Sequence, residues 1–451
     1  MLSAEYIKHY RKTLLLAFPV CMSQLGHVMV GIVDSIMVGN YGGEGSSIGT
    51  LSLAASALAN SFFSVVLVFG IGVSFGITPL VANADGEKNA SKISLLLQHA
   101  ILLYSLFGVG LFLLLYSCSP LLNHFGQAPE VVDLAIPYFN IVVFSMIPLM
   151  IFLAFKQFAE GLSFTKQAMY ISIFANLVHI ALNYILIYGK LGFEPMGLKG
   201  AGWSSFISRV IMAGMMFYYI YNSPLFSAYR SDFNIKSYSK EIMYKLFKLG
   251  IPIGLQFVFE IGAFAFAAIM IGWISAEQLA AHQIAISLAA VTYMFASGIS
   301  AAATVRVGNQ LGTKNIPSLR LAGFSAFYMV IVFMLVAAIG FILFNQELPF
   351  FFNKDPEVLR IASSLLIIAA LFQLSDGVQV VGLGALRGIS DVRVPTAITL
   401  VAYWVLGLPV GYLLGNVLKL GARGIWYGLL TGLSVSAVLL FTRFYYKSKK
   451  V

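Results

Sequence analysis

Twelve long apolar runs constrain this chain more than any other feature. They lie near residues 12–38, 47–82, 96–119, 132–155, 166–188, 201–222, 243–272, 279–305, 321–345, 358–384, 395–415 and 424–446. Each approaches or exceeds the roughly 20 residues that a helix needs to cross a bilayer. Hydrocarbon offers backbone N–H and C=O groups no partner, so a lipid-exposed run must bond to itself as a helix. Barrel strands would alternate polar and apolar residues, and these runs do not. Only 10% of the 451 residues are charged and 59% are hydrophobic, against about 25% and 45–50% in a soluble domain. The sequence therefore predicts an all-α membrane protein with twelve transmembrane helices.

A net charge of +10 would suggest nucleic acid in a soluble chain, but here the basic residues flank spans and no nucleic-acid partner is expected. Twenty-one of the 28 Lys and Arg residues fall at the two termini or in every second loop. Those loops hold Lys88 and Lys92; Lys156 and Lys166; Arg230, Lys236, Lys240, Lys245 and Lys248; Arg306, Lys314 and Arg320; Arg387 and Arg393. The alternate loops hold six, and Arg209 lies within a span. The positive-inside rule then puts both termini in the cytoplasm, which an even number of spans requires. The opening "HYRKTLLLAFPVC" lacks a small-residue cleavage site and its apolar run continues past Cys21, so it reads as the first span. Two cysteines, Cys21 and Cys118, make no disulfide framework.

The second half repeats the first. "LAFPV...IMVG" (16–39) aligns with "LGIPI...IMIG" (249–272), "FGIGVS" (69–74) with "FASGIS" (295–300), "NADGEKN" (83–89) with "NQLGTKN" (309–315), and "EGLSFTK" (160–166) with "RGISDVR" (387–393). Six spans per half return the chain to the side it entered. The repeats are therefore parallel, and two six-helix bundles related by a pseudo-two-fold along the membrane normal are expected, a recurrent transporter architecture. The expected divisions are an N-terminal bundle over 1–221, a cytoplasmic linker over 222–241 and a C-terminal bundle over 242–451.

Three acidic residues lie well inside spans: Asp34, Glu260 and Asp376. A carboxylate at the bilayer centre costs roughly 2.5–3.5 kcal/mol on insertion scales, which makes each a functional candidate. The stretch 256–274 around Glu260 contains no Lys or Arg. At about 100° per residue, Gln256 and Glu260 share a face of the seventh span. Gln373, Asp376 and Gln379 form a polar stripe on the tenth span, and Gln24, His27 and Asp34 share a face of the first. Such stripes belong in a bundle interior or a wet cavity, not against lipid. The internal alignment places His27 opposite Glu260. His179, Asn176 and Asn183 on the fifth span read as hydrogen-bonding groups or as cavity residues, and Arg209 reads as snorkelling or as paired with Asp34 or a carbonyl. No P-loop and no HExxH occurs, and no catalytic constellation points to an enzyme.

The stretches "VDSIMVG" (33–39), "GLQFVFE" (254–260) with Pro252 before it, "AAHQIAIS" (280–287) and "FQLSDGVQVVGLGALRG" (372–388) together resemble the multidrug and toxic compound extrusion (MATE) family, in particular its bacterial NorM-like branch. The resemblance covers nearly the whole chain. It implies two six-helix lobes in the bacterial cytoplasmic (inner) membrane, a monomer without cofactor, exporting bulky, often cationic organic compounds in exchange for sodium ions or protons. It maps the cation site of the C-terminal lobe, sodium included, onto Glu260 and Asp376, and the N-terminal carboxylate onto Asp34. Gln256, Gln283, Ser287, Phe372 and Gln373, with Gln24, His27, Asn176, His179 and Asn183, are expected to line or support the cavities. The chain has Phe372 where the pattern often has Tyr, and Ser287 where it usually has Asn, so sodium and proton both stay open. The alternative is a lipid-linked oligosaccharide flippase of the same superfamily, which predicts a basic cavity for a pyrophosphate.

Overall fold

A computed structural model of the protein describes residues 4–43, 47–229 and 238–451. Arg230, Lys236 and the middle of the expected linker lie outside these residues. Among the described residues the regular structure is entirely helical. Twelve long helices follow one another: α1 (Ala4–Gly39), α2 (Ser47–Gly86), α3 (Ala90–His124), α4 (Pro129–Gly161), α5 (Thr165–Tyr188), α6 (Leu198–Asn222), α7 (Lys240–Gly272), α8 (Ala276–Gly312), α9 (Ile316–Leu343), α10 (Pro356–Gly388), α11 (Arg393–Val417) and α12 (Ala422–Lys447). Eleven are long and apolar enough to cross a membrane. The twelfth, α6, carries Lys199, Arg209 and three serines, and packs against α4 and α5. Large apolar side chains such as Leu14, Phe18, Met29 and Ile32 remain exposed, as lipid-facing residues should. The protein is a multi-pass membrane protein.

Several helices outrun the bilayer. The 37 residues of α8 span about 55 Å at 1.5 Å per residue, against about 30 Å of hydrocarbon. Lys156, Arg306 and Arg387, which the charge pattern assigns to basic loops, are accordingly buried within helices. Glu160, one turn beyond Lys156 on α4, is buried with it at 3.9 Å.

The duplication is visible in backbone detail. After α2 and after α8, Lys88 and Lys314 take φ of 55° and 57°. Asn89 and Asn315 then cap the next helices, accepting from the Lys92 and Ser318 amides. At the ends of α4 and α10, Ser163 and Ser390 turn with φ of 69° and 59°. A left-handed turn is unfavourable for such residues, yet both halves keep it.

By contacts the described chain divides into two compact units. One contains the chain as far as Cys21, residues 82–88 and residues 255–451; the other contains 22–81 and 89–254. In the first unit, Trp426, Tyr403, Phe372 and Phe341 centre one apolar core and Phe327, Met334 and Phe444 another. Here the start of α1 lies against α8, where a Cβ on Gly298 would stand 2.8 Å from the Ala17 carbonyl oxygen. The end of α2 crosses the end of α8 backbone to backbone. A Cβ on Gly86 would lie 2.0 Å from the Asn309 carbonyl oxygen, and one on Gly312 would lie 2.0 Å from that of Asn83. Asn309 Nδ2 also donates to Asp85 Oδ2 at 2.8 Å. Farther along, glycines 407, 411 and 415 of α11 meet glycines 424, 428 and 432 of α12. This close approach accompanies two wide π-helical stretches in α11.

In the second unit, Tyr104, Phe139, Phe152 and Phe158 are fully buried. The start of α7 lies against α2, where a Cβ on Gly250 would stand 2.6 Å from the Val73 carbonyl oxygen. The break in α2 falls beside this contact, and Gly76 is fitted there against Gly250.

Candidate ion and substrate sites

In the first unit, α7, α8, α10 and α11 bring polar side chains together inside the apolar core. Glu260 and Asp376 are each only 4% exposed, and the two carboxyl groups interact electrostatically. Gln379, one turn beyond Asp376, places Nε2 3.5 Å from Glu260 Oε1 and 2.9 Å from the Tyr403 hydroxyl. Tyr403 reaches in from the first π-helical stretch of α11 and is fully buried. Tyr293 of α8 also lies within electrostatic reach of both carboxyls. The polar stripe on α10 therefore faces inward, as its spacing predicts. Trp404 Nε1 donates to the Phe259 carbonyl oxygen at 2.9 Å and ties α11 to α7 beside the site.

Glu260 has a basic neighbour that its own helix does not supply. Arg387, buried in the last turn of α10, donates from Nη2 to Gln256 Oε1 at 3.0 Å, stacks over Phe257 and interacts electrostatically with Glu260. Gln256 thus bonds to Arg387 one turn away from Glu260. Gln373 accepts from Thr292 Oγ1 at 2.8 Å, and its buried Nε2 has no partner among the described residues. Phe372 packs edge-on to Phe264 and against Trp426, with centroids 6.0 and 5.6 Å apart. Where a tyrosine at 372 would bring a hydroxyl, Tyr403 and Tyr293 bring theirs from other helices. Gln283 is exposed and Ser287 donates to the Gln283 carbonyl oxygen at 2.7 Å, so that hydroxyl is engaged within its own helix.

No three His, Cys, Asp or Glu side chains gather among the described residues. An ion in this site would draw on carboxylate, amide and phenol oxygens, a set suited to a hard monovalent cation. Two carboxylates in a low-dielectric interior repel one another strongly. A proton or cation between them relieves that repulsion.

In the second unit, Asp34 is held by α5. Its Oδ1 accepts from His179 Nε2 at 2.7 Å and from Asn183 Nδ2. His179 Nδ1 faces Ser208 Oγ of α6 at 3.3 Å. Tyr188 donates to the Met37 carbonyl oxygen at 2.8 Å and fixes the register of α5 on α1. Of the polar residues expected around Asp34, the structure thus joins His179 and Asn183 to it. Asn176 instead lies against Gly26, where a Cβ would be 2.8 Å from Nδ2. Gln24 is partly buried and His27 exposed, and neither bonds to Asp34. Arg209 is not ion-paired to Asp34; it donates to Ser145 Oγ.

Residue-by-residue reading missed Arg387, Tyr293 and Tyr403 as members of the first site. Arg387 looks like a loop residue beside "GIS", and the two tyrosines look like ordinary membrane aromatics. Each is one of 22 tyrosines in the chain, and spacing alone does not single it out.

A sequence profile described as MatE matches residues 19–185 and 252–413. The chain is 33% identical over 444 residues to the multidrug resistance protein NorM of Photobacterium profundum, covering 97% of this chain and 96% of that protein. It is 32% identical over 451 residues to the multidrug resistance protein MdtK of Photorhabdus laumondii, covering 99% and 97%. Among solved structures, the eukaryotic MATE transporter AtDTX14 superposes with a TM-score of 0.86 at 22% identity, covering 99% of this chain and 98% of that one. An outward-facing multidrug resistance MATE transporter of the MOP superfamily superposes with a TM-score of 0.87 at 20% identity, covering 100% and 98%. With the profile matched in both halves and the relatives aligned almost end to end, the chain belongs to the MatE family.

Proposed function

We propose that this protein is a secondary antiporter of the bacterial inner membrane that exports bulky, often cationic organic compounds in exchange for sodium ions or protons. The observation that carries this reading is the convergence of Glu260 and Asp376 inside one unit, deeply buried and beside Arg387. Taken as ionised, those three side chains sum to −1, which a single proton or sodium ion neutralises. Relatives named as multidrug resistance proteins support a drug substrate. An ion entering with the membrane potential gains about 2.3 kcal/mol per 100 mV. Coupling then requires only that drug and ion favour opposite-facing states, since a ligand shifts an equilibrium by its differential affinity for the two.

The duplicated halves, 1–221 and 242–451, are the bodies that rock in this scheme, with both termini in the cytoplasm and Asp34 as a second cation-binding or coupling group. An acidic pair in the C-terminal half favours this reading over a flippase for a pyrophosphate-linked sugar. The test is ethidium efflux from everted vesicles with sodium and pH varied separately. Efflux driven by either gradient and lost in Glu260→Gln is the expected result. Efflux indifferent to both gradients would remove the antiporter reading.

A further inference from the structure

Gln256 stands between two buried charges of opposite sign, Glu260 and Arg387. Arg387 lies in the last turn of α10, eleven residues beyond Asp376 and eight beyond Gln379. At 1.5 Å per residue those separations are about 16 and 12 Å along the helix. Gln379 Nε2 is 3.5 Å from Glu260 Oε1, so Asp376 and Gln379 approach Glu260 from one end and the guanidinium from the other. Gln256, one turn before Glu260 on α7, fills the interval. Its Oε1 accepts from Arg387 Nη2 at 3.0 Å, and its side chain also hydrogen-bonds to Glu260. Phe257, the next residue of α7, carries the guanidinium on its ring face, 5.2 Å from the centroid. Two adjacent residues of α7 thus hold a charge of α10 one turn short of Glu260.

A positive charge at that distance acts on a bound cation in two ways. It repels the cation through a low-dielectric interior, where water screens little. It also fails to replace the cation, because Gln256 keeps the guanidinium fork off Glu260. Unspaced, that fork would take both carboxylate oxygens in two parallel hydrogen bonds. An exchanger needs both effects, since its ion must bind firmly enough to enter and weakly enough to leave. We propose that Gln256 and Arg387 are positioning residues that set the affinity of the Glu260–Asp376 site for its monovalent cation. Arg387 lowers the affinity so that the ion is released, and Gln256 prevents the arginine from becoming the counter-ion itself. The inference rests on the antiporter reading and gives a reason for an amide buried between an acid and a base.

The experiment is a double-mutant cycle on the purified full-length protein in detergent, read by thermal unfolding. Sodium chloride is titrated against choline chloride at constant ionic strength, and pH is varied in a separate series at fixed sodium. A cation that binds only the folded protein raises the melting temperature, which gives a half-saturating concentration without any transport. Glu260→Gln supplies the blank for both series. Arg387→Met should lower the half-saturating concentration roughly ten-fold. Gln256→Leu, which frees the guanidinium to reach Glu260, should raise it roughly ten-fold. The double variant should match Arg387→Met, because without the arginine there is nothing to hold back. Should Gln256→Leu fail to fold, Arg387→Met decides alone. Effects that simply add in the double variant, or unchanged or weaker ion binding by Arg387→Met, overturn the inference and leave the antiporter reading standing. A wild type indistinguishable from the blank in both series would overturn the antiporter reading itself, and this inference with it.

Discussion

Gln379 joins Glu260 to Tyr403. Its amide nitrogen lies 3.5 Å from the carboxylate oxygen and 2.9 Å from the phenol, while its amide oxygen accepts from that phenol at 3.1 Å. One neutral side chain thus orients the coupling carboxylate against a hydroxyl from another helix.

Glu260→Gln should leave the protein folded and slightly more stable, because a buried carboxylate costs more to insert than an amide. It should nonetheless reduce ion-stimulated efflux at least about ten-fold (roughly 1.4 kcal/mol). Glu260→Asp should retain part of the activity. Thermal unfolding in detergent, together with vesicle transport, checks both arms. Normal coupled transport by the Gln variant would make the glutamate structural.

Tyr403→Phe removes the hydroxyl and leaves the Gln379 amide short of one partner. An unsatisfied buried polar group costs about 1–3 kcal/mol, so the melting temperature should fall. If the phenol also helps to orient the ion site, the ion concentration for half-maximal efflux should rise. A lower melting point with an unchanged ion dependence would confine Tyr403 to a packing role.

Asp34→Asn should insert normally yet lose transport, because it exchanges an acceptor of two hydrogen bonds for a neutral amide against His179 and Asn183. Expression level and monodispersity measure the first, efflux the second. Wild-type efflux from a well-expressed variant would remove Asp34 from the mechanism.

Glycine substitutions should separate by position. Gly86→Ala and Gly312→Ala each push a methyl group to within 2.0 Å of a backbone oxygen, and overpacking of this kind costs about 1–3 kcal/mol. Gly110 and Gly340 have nothing within 4 Å. Alanine there should stabilise the helix by about 0.5–1 kcal/mol. Melting temperatures of the four variants compare them directly; a Gly312→Ala protein as stable as wild type would refute the crossing.

Much of this was legible in the sequence because the bilayer reduces the choices. Apolar length gave the spans, and the paired motifs coincide with turns that recur at Lys88 and Lys314 or Ser163 and Ser390. The inward stripe of Gln373, Asp376 and Gln379 followed from helical spacing alone. Arg387 and Glu160 escaped because hydropathy locates the edge of an apolar run, not the end of a helix. Both sit in turns that continue past that edge. Tyr403 escaped for another reason: α11 widens into π turns, so its rotation cannot be read from a period of 3.6 residues. The partners of Arg209 were equally hidden, since His179 and Asn183 of α5 compete for Asp34.

The crossing of α2 and α8 has a historical side. Gly86 meets Asn309 as Gly312 meets Asn83, and the two pairs are related by the same 226-residue offset that separates "NADGEKN" from "NQLGTKN". Contacts in which i touches j′ while j touches i′ are the signature of a two-fold interface between identical subunits. The fused chain therefore carries within itself what would be the seam of a homodimer of half-length proteins. One seam serves both repeats, and its glycine and asparagine stand at matching places in each. A substitution at either glycine must be answered in the other half of the gene.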